Sequence, residues 1–175
     1  VHLISTFASQ VDERLASYAV TPVGFSGLKT KELSSSTRRQ HKSGVWGAKM
    51  VGLRTKIRQW LGPFTLAPAA KRVSQLADQI RPQLIHAMRI PFEGMIAAMA
   101  NPSAPLLVSI WGNDFTLHAK ANIWMGRLTR NTLHQVDALH SDCYRDLRLA
   151  QSWGFEAGKP GLVVPGAGGS PKGTF

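Results

Sequence analysis

One cysteine, Cys143, is too few for an internal disulfide or a cysteine-rich metal centre, and no metal site is expected. Acidic residues are scarce, 10 Asp and Glu against 21 Lys and Arg, which leaves a net charge of +11. No apolar run approaches the ~20 residues that a membrane-spanning helix needs. The chain has no G-x-x-x-x-G-K-[ST] phosphate loop, no G-x-G-x-x-G between strand and helix, no H-E-x-x-H and no G-x-S-x-G elbow. The "GAGG" at 166–169 follows a strand candidate, but no helix follows it, so it does not make a dinucleotide site. What is present is ordinary for a packed globule: 175 residues, 43% of them hydrophobic. The chain opens at Val1, inside an apolar run, and is read as part of a longer polypeptide.

The positive charge is not spread evenly. Residues 28–60 hold nine Lys or Arg against the single acid Glu32, a local excess of +8. Such a block predicts an anionic surface nearby, whether membrane, nucleic acid or acidic substrate; a solvated loop is the plainer alternative. Its first part, "GLKTKELSSSTRRQHKSG", reads as a loop. Its second, 45–61, carries Trp46, Met50, Leu53, Ile57 and Trp60 at spacings of 4, 3, 4 and 3, one face of a helix, with Lys49, Arg54, Lys56 and Arg58 largely off that stripe. Basic amphipathic helices with aromatics lie in membrane interfaces. The alternative is a helix whose stripe packs on the domain's own sheet. A nucleic-acid role lacks regularly interleaved aromatics and any recognised motif.

Elsewhere the periodicity gives strands at 1–6 and 18–26, then a helix over 65–83 that buries Val73, Leu76, Ala77 and Ile80 and stops at Pro82. A strand at 84–88, a helix at 91–100 with Pro91 in its first turn, and a strand at 105–111 follow. A helix at 121–136, a strand at 137–141, a helix at 143–154 and a strand at 161–166 complete the pattern. Short apolar strands alternating with helices predict a mainly parallel sheet in a three-layer, Rossmann-like α/β/α domain.

Ligands of such sheets bind beyond the carboxyl ends of the strands. Three of those ends carry useful chemistry: His86, Arg89 and Glu93; then Trp111, Gly112, Asn113, Asp114 and His118; then His140, Ser141, Asp142 and Arg145. Gly112 permits a sharp turn and close approach of a ligand. Each has a structural alternative: Asn113 and Asp114 as turn residues, His86 as an ordinary buried histidine, Ser141 and Asp142 as helix caps, and Arg89 paired with Glu93.

In order, "RPQLIHAMRIPFEGMIAAMA", "PLLVSIWGNDFTLHA", "VDALHSDCYRDLRLAQSWGF" and "GLVVPGAGG" resemble the first, acceptor-side domain of a family 4-like glycosyltransferase of GT-B architecture, over roughly residues 65 to 169. The resemblance implies a second, carboxy-terminal domain that binds most of a nucleotide-sugar donor, which serves as co-substrate with no further cofactor. It also implies that this half is inactive alone. The "VHLIST" strand looks like the family's second, so the first strand and its Gly-rich loop are not found within 1–165. Residues 28–62 would be a basic insertion, and 166–175 the start of the interdomain linker. Trp111 stands where many members have a histidine; it can stack on a sugar but cannot exchange a proton.

The expected substrate contacts are therefore Trp111, Gly112, Asn113, Asp114, His86, Arg89, Glu93, Asp142 and Arg145. The expected membrane-facing residues are Trp46, Lys49, Arg54, Arg58 and Trp60. The expected partners are a saccharide or lipid-linked acceptor, an anionic membrane surface and the second domain, with no nucleic acid. The expected location is the cytoplasm, peripheral at the inner face of the membrane. A non-catalytic glycan- or lipid-binding module of the same fold is the alternative.

Overall fold

The computed structural model describes residues 1–5, 13–21 and 62–164. The basic loop, the stripe at 45–61 and the "GAGG" segment lie outside the described residues. Two parallel strands, β1 (His2–Ser5) and β2 (Ser17–Val20), pair in one small sheet. A 3-10 turn, Gly62–Thr65, leads into α1 (Leu66–Ile80). Then come β3 (Ile85–Ala87), α2 (Met95–Ala100), β4 (Leu106–Ile110), α3 (Ile123–Gln135), β5 (Ala138–Ser141), α4 (Tyr144–Ser152) and β6 (Gly161–Val163). The last four strands form an all-parallel sheet in the order β3-β4-β5-β6. Parallel strands with helical crossovers give the Rossmann-like α/β architecture that the alternation predicts.

Right-handed crossovers between strands laid in sequence put α2, α3 and α4 on one face of the sheet. That face carries the core. Ala87, Val108, Ile110 and Leu139 are buried on it, beneath Met95, Met125 and Leu133. Helix and strand approach closely here. A Cβ on Gly94 would meet the Arg89 carbonyl oxygen at 2.8 Å and the Val108 side chain at 3.4 Å; one on Gly161 would meet Leu147 Cδ1 at 2.8 Å. The other face is partly open among the described residues, with Met88 and Leu162 exposed.

Strand β4 is held at both ends. At its start, the Leu106 N–H donates to Asp137 Oδ2 (2.8 Å) and the Asp137 N–H donates to the Leu106 carbonyl (3.0 Å). At its finish, Asp114 performs the same office, as described below.

Three expectations need correction. Helix α1 buries Leu66, Ala69, Ala70 and Val73, its first half; Leu76, Ala77 and Ile80 are only half-buried, and Ala77 and Ile80 border a cavity. The helix ends at Arg81 in the left-handed conformation (φ 50°), one residue before Pro82. Pro91 has extended backbone (φ −90°, ψ 123°) within the π-helical turn Ile90–Gly94, so the regular helix starts at Met95 and not at 91. Neither Ser141 nor Asp142 holds the N-cap position of α4. Cys143 holds the N-cap position without a side-chain bond, and the Ser141 hydroxyl is engaged with the Cys143 backbone.

Candidate functional site

The carboxyl ends of β3 and β4 are drawn together by one carboxylate. Asp114 opens the π-helical turn Asp114–His118 and is 0% exposed. Its Oδ2 accepts the backbone N–H of Trp111 (3.1 Å) and of Ile90 (3.4 Å), and its Oδ1 accepts Arg89 Nη2 (3.1 Å). Charge-assisted bonds of this kind are stronger than neutral ones, and a buried carboxylate needs them. Asp114 therefore offers no exposed oxygen to a sugar hydroxyl. It fixes the loop on which the exposed groups stand, the turn-residue alternative in a stronger form.

Beside Asp114 stand Trp111 and Asn113, both exposed, and the half-buried Arg89, whose Nε is buried without a hydrogen-bond partner. The Trp111 ring is half-exposed, and its indole N–H donates to the Met88 carbonyl (3.2 Å). The Arg89 guanidinium sits 5.9 Å from that ring's centroid and donates to Asn113 Oδ1 (3.2 Å). An aromatic face, a cation and an amide thus stand side by side at two adjoining strand ends. Together they can stack against an apolar sugar face and bond to hydroxyl or phosphate oxygens. Arg89 makes its ion pair with Asp114, and no Arg89–Glu93 pair forms. Glu93 Oε2 is buried with no hydrogen-bond partner.

Gly112 has a neighbour that sequence reading missed. Asp146, in the first turn of α4 and 6% exposed, places both carboxylate oxygens 3.1 Å from where a Gly112 Cβ would lie, and its Oδ1 has no hydrogen-bond partner. Asp146 lies 34 positions beyond Gly112. The only local signal was its place at i, i+4 with the buried Ala150.

The remaining candidates lie apart. His86 is mid-strand on β3, on the open face. Its Nε2 bonds the Ser109 hydroxyl (2.8 Å), which bonds His140 Nδ1 (3.0 Å), a His-Ser-His row across β3, β4 and β5. Burial, and next the nearby His140, lower the His86 pKa below its ordinary 6.5. Asp142 and Arg145 are exposed at the start of α4.

A parallel α/β sheet with helical crossovers, whose adjoining strand ends present an aromatic ring and a cation held by a buried carboxylate, is a Rossmann-like α/β domain. Residues 18–166 match the glycosyl transferase 4-like domain, and the chain belongs to that family. It is a glycosyltransferase domain, of the amino-terminal kind that its motifs resemble. No match was found among curated proteins or among solved structures.

Proposed function

We propose that this domain is the acceptor-binding half of a GT-B glycosyltransferase, which receives a sugar from a nucleotide-sugar donor held mainly by a second domain and is inactive without it. The observation that carries this reading is the Arg89–Trp111–Asn113 group: at the surface, with Arg89 bonded to Asn113 and set near the Trp111 ring, and pinned to the sheet by Asp114. Trp111 would stack on a sugar ring, while Arg89 and Asn113 would bond its oxygens. None of the three would act as a proton shuttle. In the two-domain enzyme, Trp111→Ala is expected to lower kcat/KM for the acceptor about tenfold with an unchanged melting temperature, since an aromatic contact contributes about 1 kcal/mol beyond its area. Unchanged kcat/KM removes Trp111, and with it this reading of the site.

The same proposal extends to location. The +8 segment at 28–60, with its aromatic stripe, would hold the domain on an anionic membrane surface near a saccharide or lipid-linked acceptor, on the cytoplasmic side. Among the described residues no helix is long and apolar enough to cross a membrane. Flotation with vesicles containing about 30% anionic lipid is expected to carry the protein, and 1 M salt to release it, because screening is short-ranged at that strength. Equal flotation with neutral vesicles counts against the basic stripe.

A further inference from the structure

The turn and helix that follow the Trp111 loop carry an apolar tip among cations. Leu117, Ile123 and Trp124 are 55%, 65% and 50% exposed. Single exposed apolar side chains are ordinary; three at one corner mark a contact surface. Residues 115–136 contain no Asp or Glu, and Lys120, Arg127 and Arg130 stand exposed among them. The tip is firmly presented. Asn122 accepts the Met125 N–H (2.9 Å) and so caps α3, which sets Ile123 and Trp124 in its first turn. The Arg127 guanidinium lies 5.6 Å from the centroid of the Trp124 ring, so cation and ring are held side by side. Helix α3 leads from β4 back to β5, so its first turn stands at the carboxyl ends of the strands, where Arg89, Trp111 and Asn113 also stand. The charges divide along the same axis. Beyond the ends of β4 and β5, Asp114 and Asp146 are buried, and the exposed Asp142 is outweighed by Lys120, Arg127 and Arg145. At the opposite end of the sheet, the exposed Asp78, Asp137 and Glu156 offset Arg81 and Lys159.

We propose that this corner enters the interface of an anionic bilayer, with Leu117, Ile123 and Trp124 reaching below the headgroups and Lys120 and Arg127 resting on lipid phosphates. Tryptophan suits that depth, because its ring is apolar and its N–H polar. The positive end of the α3 dipole, at the same first turn, favours the same phosphates. Three side chains bury too little apolar surface to hold the domain alone. They orient what the basic segment attracts, and the proposal rests on the membrane location given to that segment above. The end of the sheet with the excess of cations then faces the lipid, and the end with the exposed acids faces away. The Trp111 loop would meet an acceptor at the bilayer surface.

Two measurements on the 175-residue chain test it. The first is flotation with vesicles of about 30% anionic lipid at about 0.1 M salt. Ile123→Ser combined with Trp124→Ser is expected to weaken binding about tenfold at an unchanged melting temperature, since both side chains are exposed. The second places an environment-sensitive dye by Leu117→Cys in a Cys143→Ser background. Its emission is expected to shift to the blue when these vesicles are added. The same dye placed by Gln79→Cys, in the last turn of α1, is expected to stay as in water. This readout stands even where the double variant fails to fold. An unmoved dye at position 117 and an undiminished double variant, with the parent still floating, overturn the proposal and leave the basic segment as the anchor. A blue shift at position 79 in place of 117 overturns the orientation and the proposal with it. A parent that does not float overturns both this proposal and the membrane location. A shift at position 117 that appears without vesicles and grows with protein concentration means that a second copy covers the tip, which also overturns it.

Discussion

The loop after β4 and the first turn of α4 each carry a buried aspartate to the same end of the sheet. Asp114 is met by two backbone N–H groups and a guanidinium, so its charge is compensated and its geometry fixed. Asp146 is nearly as buried, yet one oxygen has no partner, and a Cβ added to Gly112 would meet its carboxylate at 3.1 Å. The first arrangement builds a scaffold. The second keeps an unused acceptor beside a loop position where an added side chain would press on it, and unsatisfied buried groups of this kind collect where proteins bind other molecules.

The contrast breaks most visibly at Asp114. Asp114→Ala strips the Arg89 pair and leaves the Trp111 and Ile90 N–H groups without an acceptor. Removing one partner of a buried, hydrogen-bonded charge is expected to cost about 3 kcal/mol, measured by urea unfolding. A loss under about 1 kcal/mol would mean that the clamp is not what holds the two strand ends. Gly112→Ala is the next largest. Its methyl would press on the Asp146 carboxylate, for about 1–2 kcal/mol. Adding Asp146→Ala is expected to recover most of that, and additive losses in the double variant would show that the two residues do not touch.

The smallest effect lies on the open face. Because folding lowers the His86 pKa, the unfolded chain takes up its proton first as the medium is acidified. The contribution of His86 is fully present above pH 6.5 and is lost as the pH falls below that value. His86→Gln is expected to flatten the fall in stability between pH 7 and pH 5 while changing little at pH 8. An unaltered slope would place the titration elsewhere.

The strands at 84–88, 105–111 and 137–141 were legible because each is a short apolar run with polar ends. The structure trims each by a residue or so, since ladder pairing stops before the apolar run does. The cluster at Arg89, Trp111 and Asn113 was legible as a place, because parallel sheets present their strand ends together. Which aspartate faced inward was not. Asp114 and Asp142 look alike in sequence, each within three residues past a strand candidate, but the first is buried and the second exposed. Asp146 was hidden because its meaning depends on Gly112, a contact between two crossovers. The half-covered end of α1 was misread for a similar reason: its apolar stripe is real, but what lies against it is a cavity.

The double fastening of β4 has a mechanical consequence. Asp137 grips its first residue from β5, and Asp114 ties the backbone just past its end to that of β3. Load applied along this strand would be shared by both fastenings at once, in shear, whereas β6, with a single neighbour in the sheet among the described residues, can unzip one bond at a time. Under tension the domain would fray from β6 inwards. The Trp111 loop would keep its shape until the fourth strand gave way, so a partner hauling on the carboxy-terminal side would not deform the surface that Trp111 presents.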